Sequence, residues 1–394
     1  MKILFLANRI PYPPYRGDKL KIYNLARRLC IEHELHLITF TESEDDKQYI
    51  SELKKIFSQV QTVHLPKWRG AINCLKGIWS DIPFQVLYFQ SKKMEETLRY
   101  ALQMHTYDAI HVQHLRMSPY LQHQKQLPRI LDLPDAFSLY WKRRQAIDKN
   151  SLKIAFEKVE QKRLEKFEAI INDYPLSLVC SQEDWKYLRA HQPHAALQIL
   201  PNGVDTTTFK FAEHDYSHGH TLLFTGNMDY APNVDAVTYF VDALLPFIRK
   251  QYPDVKLVIA GQRPIKKVRA LANEYIIVTG FVKDLSAMYN SASVVISPLR
   301  FGAGTQNKVL EAMAMGVPVV CTHIGFEGLG IQDGEGAFMR REPQGFVDTV
   351  CELLSSATLR AATGTKGRQT IAEKFDWDVI TRQLDQYFKE VSRL

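Results

Sequence analysis

The sequence predicts an α/β protein made of two Rossmann-like, doubly wound domains in tandem, and three observations carry that reading. Short, almost uninterrupted apolar runs alternate with helix-length amphipathic stretches. The scheme is complete once by residue 200 and then begins again. A Pro-Asn-Gly corner separates the two series. Strands apolar on both faces belong to parallel sheets covered by helices on each side.

The first series opens with KILFLA (2–7), bounded by Asn8 and by Pro11, Pro13 and Pro14, and a helix follows Gly17-Asp18. Further strands are expected at 35–40, 60–65, 108–112, 129–133 and 176–181. The second series places them at 221–226, 255–261, 275–280, 293–298 and 317–322. Between the two lies LPNGVD (200–205), where Pro201 cannot donate to a ladder and Asn202-Gly203 is a strong turn dipeptide. The expected organisation is therefore a domain over 1–205, a second over 206–375, and a terminal helix over 376–394 crossing back to the first. Sheets of this kind bind ligands beyond the carboxyl ends of their strands, so function is expected in a cleft between the domains.

Composition narrows the class. With 394 residues, 45% hydrophobic and 24% charged, the chain is an ordinary globular one, which excludes disorder, collagen and coiled coil. No apolar run approaches the ~20 residues of a membrane span. The start, MKILFLANRI, lacks the apolar region of a signal peptide, so a cytoplasmic location is expected. Five scattered cysteines without a C-x-x-C pair argue against disulfides and zinc. The net charge of +7 resides wholly in residues 1–205, with 30 Lys and Arg against 23 Asp and Glu, while 206–394 balances at 20 against 20. A basic first half suits an anionic membrane face, a phosphorylated substrate or nucleic acid, and charge alone does not separate these.

The densest motif is SPLRFGAGTQNKVLEAMAMGVPVVCT (297–322), read as strand, glycine-rich loop, helix, strand. Gly302 and Gly304 allow close backbone approach, Thr305 is positioned to cap the helix, and the helix terminus presents free amides. An anion site is the natural reading, and it gives a reason for Lys308 in a first turn, where the helix dipole disfavours a cation. Glu311 lies one turn on, placed to accept the hydroxyls of a ribose. The bland alternative is a tight loop with an ordinary capped helix. The spacing is neither that of a phosphate-loop NTPase nor that of a nicotinamide enzyme.

Together with PNGVD, FTGNMDYAPNVDAV (224–237), VIAGQRP (258–264) and VTGFVKDLSAMY (278–289), this segment resembles the carboxyl half of family-4 glycosyltransferases of the GT-B type. ILFLANRIPYPPYRGDKLKIYNLARRL and YDAIHVQHLRMSPYL resemble the other half, closest to bacterial sugar transferases of polysaccharide-assembly and exosortase-associated clusters. The resemblance implies transfer of a sugar from a nucleotide-diphosphate-sugar, with retention and without an obligatory metal. It likens Glu311 to the glutamate that holds the donor ribose, but the family's second glutamate is replaced by Ala303. Its basic pair is also altered, with Asn227 and Met228 after Gly226 and with Asn233 near the usual lysine. Donor diphosphate is then expected at Lys308 and the helix terminus first, and at Arg263 or Arg300 second. Backbone at Phe281 and Val282 matches where the family reads the base.

On the acceptor side, the resemblance sets Gly17 against donor diphosphate or acceptor, while Asp18 also reads as a helix cap. The family's active-site histidine aligns with Gln113, and His114 is its candidate substitute. Strand alternation sends these two side chains to opposite faces, so the substitution requires a break at the strand end. Catalysis would rest on positioning and charge stabilisation, with the leaving diphosphate taking the acceptor proton.

Two further segments carry a signal. DWD (376–378) resembles a metal-binding D-x-D but starts the last helix, where Asp376 is a ready cap. KWRGAINCLKGIWSDIP (67–83) spaces Trp68, Ile72, Leu75, Ile78, Trp79 and Ile82 as an amphipathic, mildly basic helix that either packs on the first sheet or docks on a membrane. The expected partners are a nucleotide-sugar donor, a glycan or lipid-linked acceptor and an anionic membrane face, and not nucleic acid. An epimerase or hydrolase of the same fold, and an inactive nucleotide-sugar-binding module, stand as alternatives.

Overall fold

The computed structural model describes residues 1–147, 150–210, 216–217 and 219–393. Contacts divide the chain into one unit of Met1–Leu200 with Ile380–Leu394 and a second of Pro201–Val379.

The first unit holds β1 (Lys2–Ala7), β2 (Glu34–Thr41), β3 (Gln59–His64), β4 (Ala109–Gln113), β5 (Arg129–Leu133), β6 (Leu176–Val179) and β7 (Leu197–Ile199). They form one parallel sheet in the order β3-β2-β1-β4-β5-β6-β7. The second holds β8 (Thr221–Thr225), β9 (Lys256–Ala260), β10 (Ile276–Gly280), β11 (Val294–Ser297), β12 (Val319–Cys321) and β13 (Ala337–Met339). Their order is β10-β9-β8-β11-β12-β13, again parallel. Each sheet is therefore doubly wound, and its strand order reverses between β1 and β4 in one unit and between β8 and β11 in the other, which is where such sheets seat ligands. Every expected strand is present. The two that sequence patterning missed, β7 and β13, are three-residue edge strands too short to show a period.

The boundary falls after Leu200 rather than after Asp205. Val204 N–H donates to Phe375 O at 2.8 Å, Trp377 N–H donates back to Val204 O at 3.3 Å, and a Cβ on Gly203 would meet the Trp377 ring at 2.7 Å. These contacts weld the PNGVD corner to the second unit. The last helix, Trp377–Val391, begins there, and from Ile380 onward its residues group with the first unit, where Phe388 packs against Phe5 and His111. Asp376 Oδ1 accepts from Asp378 N–H at 2.7 Å, as a cap does.

A buried polar cluster braces the first sheet. Lys21, on the Gly17–Leu29 helix, donates to Asp132 Oδ1 at 2.7 Å and to Leu200 O at 3.0 Å, and His111 Nε2 meets Asp132 Oδ2 at 3.1 Å. Burial works against the Lys21 charge, but Asp132 outweighs it and holds the ammonium above its ordinary range. Removing one partner of such a pair typically costs ~3–5 kcal/mol.

The 67–83 segment is helical over Lys67–Lys76. Gly70 lies against the Tyr88 ring, where a Cβ would come within 2.4 Å, so this is the helix's inner face. The apolar residues point elsewhere: Trp68 is 64%, Leu75 69% and Trp79 95% exposed. Beside it, Arg163 Nη2 donates to Ile78 O and Phe84 stacks on Phe156 at 5.6 Å, which sets the Ser151–Phe167 helix alongside. That helix exposes Leu152, Phe156 and Val159.

Candidate functional site

In the second unit the candidate site forms where the loops after β8, β9 and β11 meet. The β8 and β9 loops touch backbone to backbone, since a Cβ on Gly261 would lie 1.7 Å from Gly226 O. Side chains then stitch them: Gln262 Nε2 donates to Asn227 Oδ1 at 2.8 Å, and Asn233 Nδ2 donates to Asn227 O at 3.0 Å. Asn227 is thus a structural joint, its amide oxygen already engaged by the loop.

The loop after β11 leads into the Asn307–Ala314 helix. Gly304 sits at φ 71, a left-handed conformation that favours glycine. Thr305 does not cap the helix as expected. Its hydroxyl is buried and donates to Gly328 O at 3.4 Å, and the cap position falls one residue later, on Gln306, whose side chain reaches Ala303 O and Lys308 instead. The first-turn amides of this helix therefore have no side-chain acceptor in the cap.

Lys308 is buried in that first turn. Its ammonium donates to Asn233 Oδ1 at 3.1 Å and Gln306 Oε1 at 3.3 Å and lies 5.1 Å from the Phe224 ring centroid. All three partners are neutral. Burial pushes Lys308 down to about 8, with Glu311 opposing the shift. Glu311, half-buried, is pushed upward by burial, and Tyr289 and Lys308 hold it back. Tyr289, on the Leu285–Asn290 helix, donates to Glu311 Oε2 at 2.7 Å, so one carboxylate oxygen is engaged within the protein. Tyr289 lies inside the VTGFVKDLSAMY motif, where the sequence alone gives it no role. Its signal was an aromatic hydroxyl at a position that proved wholly buried.

The two arginines expected near the diphosphate are both paired. Arg300 is held by Asp235 through Nε at 2.8 Å and through Nη2, and packs over Tyr239. Arg263, at φ 55, meets Asp229 at 3.6 Å. Arg263 also lines a cavity of about 440 Å³ with Pro264, Arg269, Thr279, Gly280 and Phe281. Phe281 is exposed at its rim, whereas Val282 packs against the cluster of Leu223, Val309 and Met313. Gly226 directly follows β8 and Gly302 lies in the loop after β11, the two strands on either side of the strand-order reversal.

In the first unit, the strand break that His114 requires is present. β4 ends at Gln113, and His114 follows at φ 79. Its Nδ1 accepts from Arg116 N–H at 3.3 Å and its ring stacks on Phe137 at 4.6 Å. Burial, then the charges of Arg116 and Arg9, hold His114 well below its ordinary value. It is a neutral imidazole whose Nε2 carries the proton, a hydrogen-bond donor rather than a base. Gln113 Nε2 donates to the Asp18 carbonyl at 2.5 Å, tying β4 to the first turn of the Gly17–Leu29 helix. Asp18 is not that helix's cap. The helix starts at Gly17 with Arg16 in the cap position, and the Asp18 carboxylate faces Arg9 at 3.6 Å and Arg16 at 4.0 Å. Arg9 and Arg116 were not singled out from sequence, because single arginines after strands carry no pattern.

Two all-parallel, doubly wound sheets in one chain, with glycine loops gathered at the carboxyl ends of the second, match the architecture of the GT-B class of α/β proteins. Within that class, residues 219–356 match the family described as Glycosyl transferases group 1. The chain is 32% identical over 136 residues to an uncharacterized 44.6 kDa protein in the cps region of Klebsiella pneumoniae, covering 32% of this chain and 35% of that one. It is 28% identical over 238 residues to the GDP-mannose-dependent alpha-(1-6)-phosphatidylinositol monomannoside mannosyltransferase of Mycobacterium tuberculosis, covering 54% and 61%. The chain thus spans less than two thirds of the curated relatives it matches. Among solved structures, HepE of Anabaena in complex with UDP and glucose superposes with a TM-score of 0.68 at 14% identity, over 99% of this chain and 100% of that one. The resemblance to GT-B glycosyltransferases of polysaccharide clusters is borne out, by fold along the chain and by sequence in the second unit.

Proposed function

We propose that this protein transfers a sugar from a nucleotide-diphosphate-sugar to a glycan or lipid-linked acceptor in cell-surface polysaccharide assembly. The observation that carries the reading is Lys308, a buried ammonium whose hydrogen-bond partners among the described residues are the neutral Asn233 and Gln306, in the first turn of a helix whose cap residue makes no side-chain cap hydrogen bond. A diphosphate beside it would gain charge-assisted hydrogen bonds and restore the lysine's full charge. Glu311, with Oε2 held by Tyr289, would present Oε1 to the ribose. Gly302 and Gly304 would admit the donor closely, and the cavity rimmed by Phe281 would take the base.

In this reading transfer proceeds with retention and without a metal. The leaving diphosphate removes the acceptor proton while Lys308 and the helix amides stabilise its growing charge. His114 would donate through Nε2 to the acceptor side. The named relatives support a nucleotide-sugar donor, and one of them, by its name, acts on a phosphatidylinositol glycolipid.

The same reading includes peripheral contact with an anionic membrane. No helix among the described residues is long and apolar enough to cross one. The exposed Trp68, Leu75 and Trp79 instead offer shallow insertion, with Lys67, Arg69 and Lys76 around them. Ala303 leaves the donor sugar without the family's second carboxylate, which keeps donor hydrolysis or bare donor binding as the alternative. Product analysis with a panel of nucleotide-sugars, with and without membrane extract as acceptor source, separates them. Acceptor-dependent release of the nucleoside diphosphate supports transfer, and acceptor-independent release overturns it.

A further inference from the structure

We infer that Gln262, Asn227 and Asn233 form a positioning relay for Lys308, joining the loop that lines the Arg263 cavity to the ammonium proposed to meet the diphosphate. The inference rests on the transferase reading. It assigns to three neutral side chains the task of deciding where the site's cation stands.

The relay is built outward from the backbone. The loops after β8 and β9 are zipped by Gly226 N–H to Ala260 O at 3.1 Å, Met228 N–H to Gln262 O at 2.9 Å and Ile265 N–H to Met228 O at 3.4 Å. They form one piece, in which Gln262 adjoins Arg263 and Pro264 of the cavity wall. Gln262 Nε2 donates to Asn227 Oδ1 at 2.8 Å, and the Asn227 carbonyl accepts from Asn233 Nδ2 at 3.0 Å. Asn233, buried in the first turn of the Ala231–Tyr239 helix, accepts in turn from Lys308 Nζ at 3.1 Å. Gly226 makes room for it, since a Cβ there would lie 2.6 Å from Asn233 Nδ2.

Chemistry fixes the direction of the last two links. The Asn227 carbonyl only accepts and the Lys308 ammonium only donates, so the Asn233 amide has one orientation between them. Its oxygen is held at one point, and the ammonium with it. A neutral acceptor suits this place. A carboxylate there would pair with the lysine and satisfy the charge that an anion needs, whereas an amide orients the ammonium and leaves its charge intact. Gln306, the other acceptor at 3.3 Å, sits two residues from Lys308 in the chain. Among the described residues, Asn233 is therefore the side chain whose hydrogen bond ties this ammonium to the loops after β8 and β9.

The titratable groups acting on Lys308 are Glu311 on its own helix and the Cys321 thiol at the end of β12, while the Tyr289 hydroxyl reaches the Lys308 carbonyl at 3.3 Å. The charged side chains of the three loops and of the Asn233 helix are paired with each other, Asp229 with Arg263 and Asp235 with Arg300. A change at Asn233 or Gln262 thus reaches the lysine through the relay.

The test follows the titration of Lys308 in the full chain by NMR of isotope-labelled lysine, with the Lys308→Met spectrum identifying its signal, alongside calorimetry with UDP and GDP. Asn233→Asp should raise the midpoint from about 8 by roughly a unit, and Asn233→Leu should lower it, because one adds charge to the acceptor and the other removes the acceptor. Affinity for the tighter of the two nucleotides at pH 7 should fall about tenfold in Asn233→Leu. Gln262→Leu should weaken it several-fold from the far end of the relay, and should weaken it no further when Asn233→Leu is already present. A purely structural joint would lower the melting temperature in every variant and leave the midpoint unmoved. That result, or losses that multiply in the double variant, overturns the inference. Should Asn233→Leu fail to fold, Asn233→Asp decides by itself, an upward shift supporting the relay and an unmoved midpoint ending it. Opposite midpoint shifts with nucleotide affinity unchanged in Lys308→Met would leave the relay standing and sink the transferase reading. Unmoved midpoints with affinity lost in Lys308→Met would do the reverse.

Discussion

Tyr289 donates its hydroxyl hydrogen to Glu311 Oε2 at 2.7 Å, and Thr225 meets the same hydroxyl at 2.8 Å. The chain of three runs from the end of β8 to the carboxylate proposed to hold the ribose. Burial raises Glu311, and the tyrosine's hydrogen bond counters that rise. Tyr289→Phe should therefore lift Glu311 further, so that nucleotide affinity falls off at a higher pH on acidification than in wild type. Titrating the dissociation constant between pH 4 and 7 measures it, and superimposable profiles would remove Tyr289 from the site.

Glu311→Ala should weaken nucleotide binding about tenfold, because the ribose hydroxyls lose a charged acceptor. The melting temperature of the free protein should barely move, since a half-buried carboxylate raised by burial adds little to the fold. Unchanged affinity refutes the ribose role.

Lys308 sets the alkaline limit. Its folded value of about 8 lies below the 10.5 of an unperturbed lysine, so its charge, and nucleotide affinity with it, should decline as pH rises through 8. The linkage sign for stability is opposite. The unfolded chain holds this proton up to about 10.4, so the lysine's penalty on the fold is full below pH 8 and relieved between 8 and that value. Lys308→Met should accordingly bind nucleotide at least tenfold more weakly yet melt no lower than wild type at pH 7. Loss of both affinity and stability would make the lysine a structural brace.

Turnover should persist in excess EDTA, because the diphosphate's charge is assigned to Lys308 and helix amides and because Asp376 is occupied as a helix cap. Activity abolished by chelation and restored by magnesium or manganese contradicts that assignment.

Trp68→Ala with Trp79→Ala should abolish sedimentation with anionic vesicles at low salt without lowering the melting temperature by more than a few degrees. Both indoles are mostly exposed, so their truncation leaves no cavity. Added salt should weaken wild-type binding over the screening range. Salt-independent binding, or none to anionic vesicles, excludes the membrane contact.

The strand set was legible in the sequence because a strand apolar on both faces is a local signal, readable in five or six residues at β1, β5 or β9. The candidate loop was legible for the same reason, since glycines, a helix start, Lys308 and Glu311 lie within ten residues of one another. What only the tertiary structure decided was the state of each side chain, because that depends on partners far along the chain. Asp235 claims Arg300 from 65 residues away, Asn233 meets Lys308 across 75, and Asp18 engages Gln113 across 95. Burial made His114 a neutral donor and left Lys308 hydrogen-bonded to the neutral Asn233 and Gln306. Burial is a property of packed layers, and no window of sequence contains it.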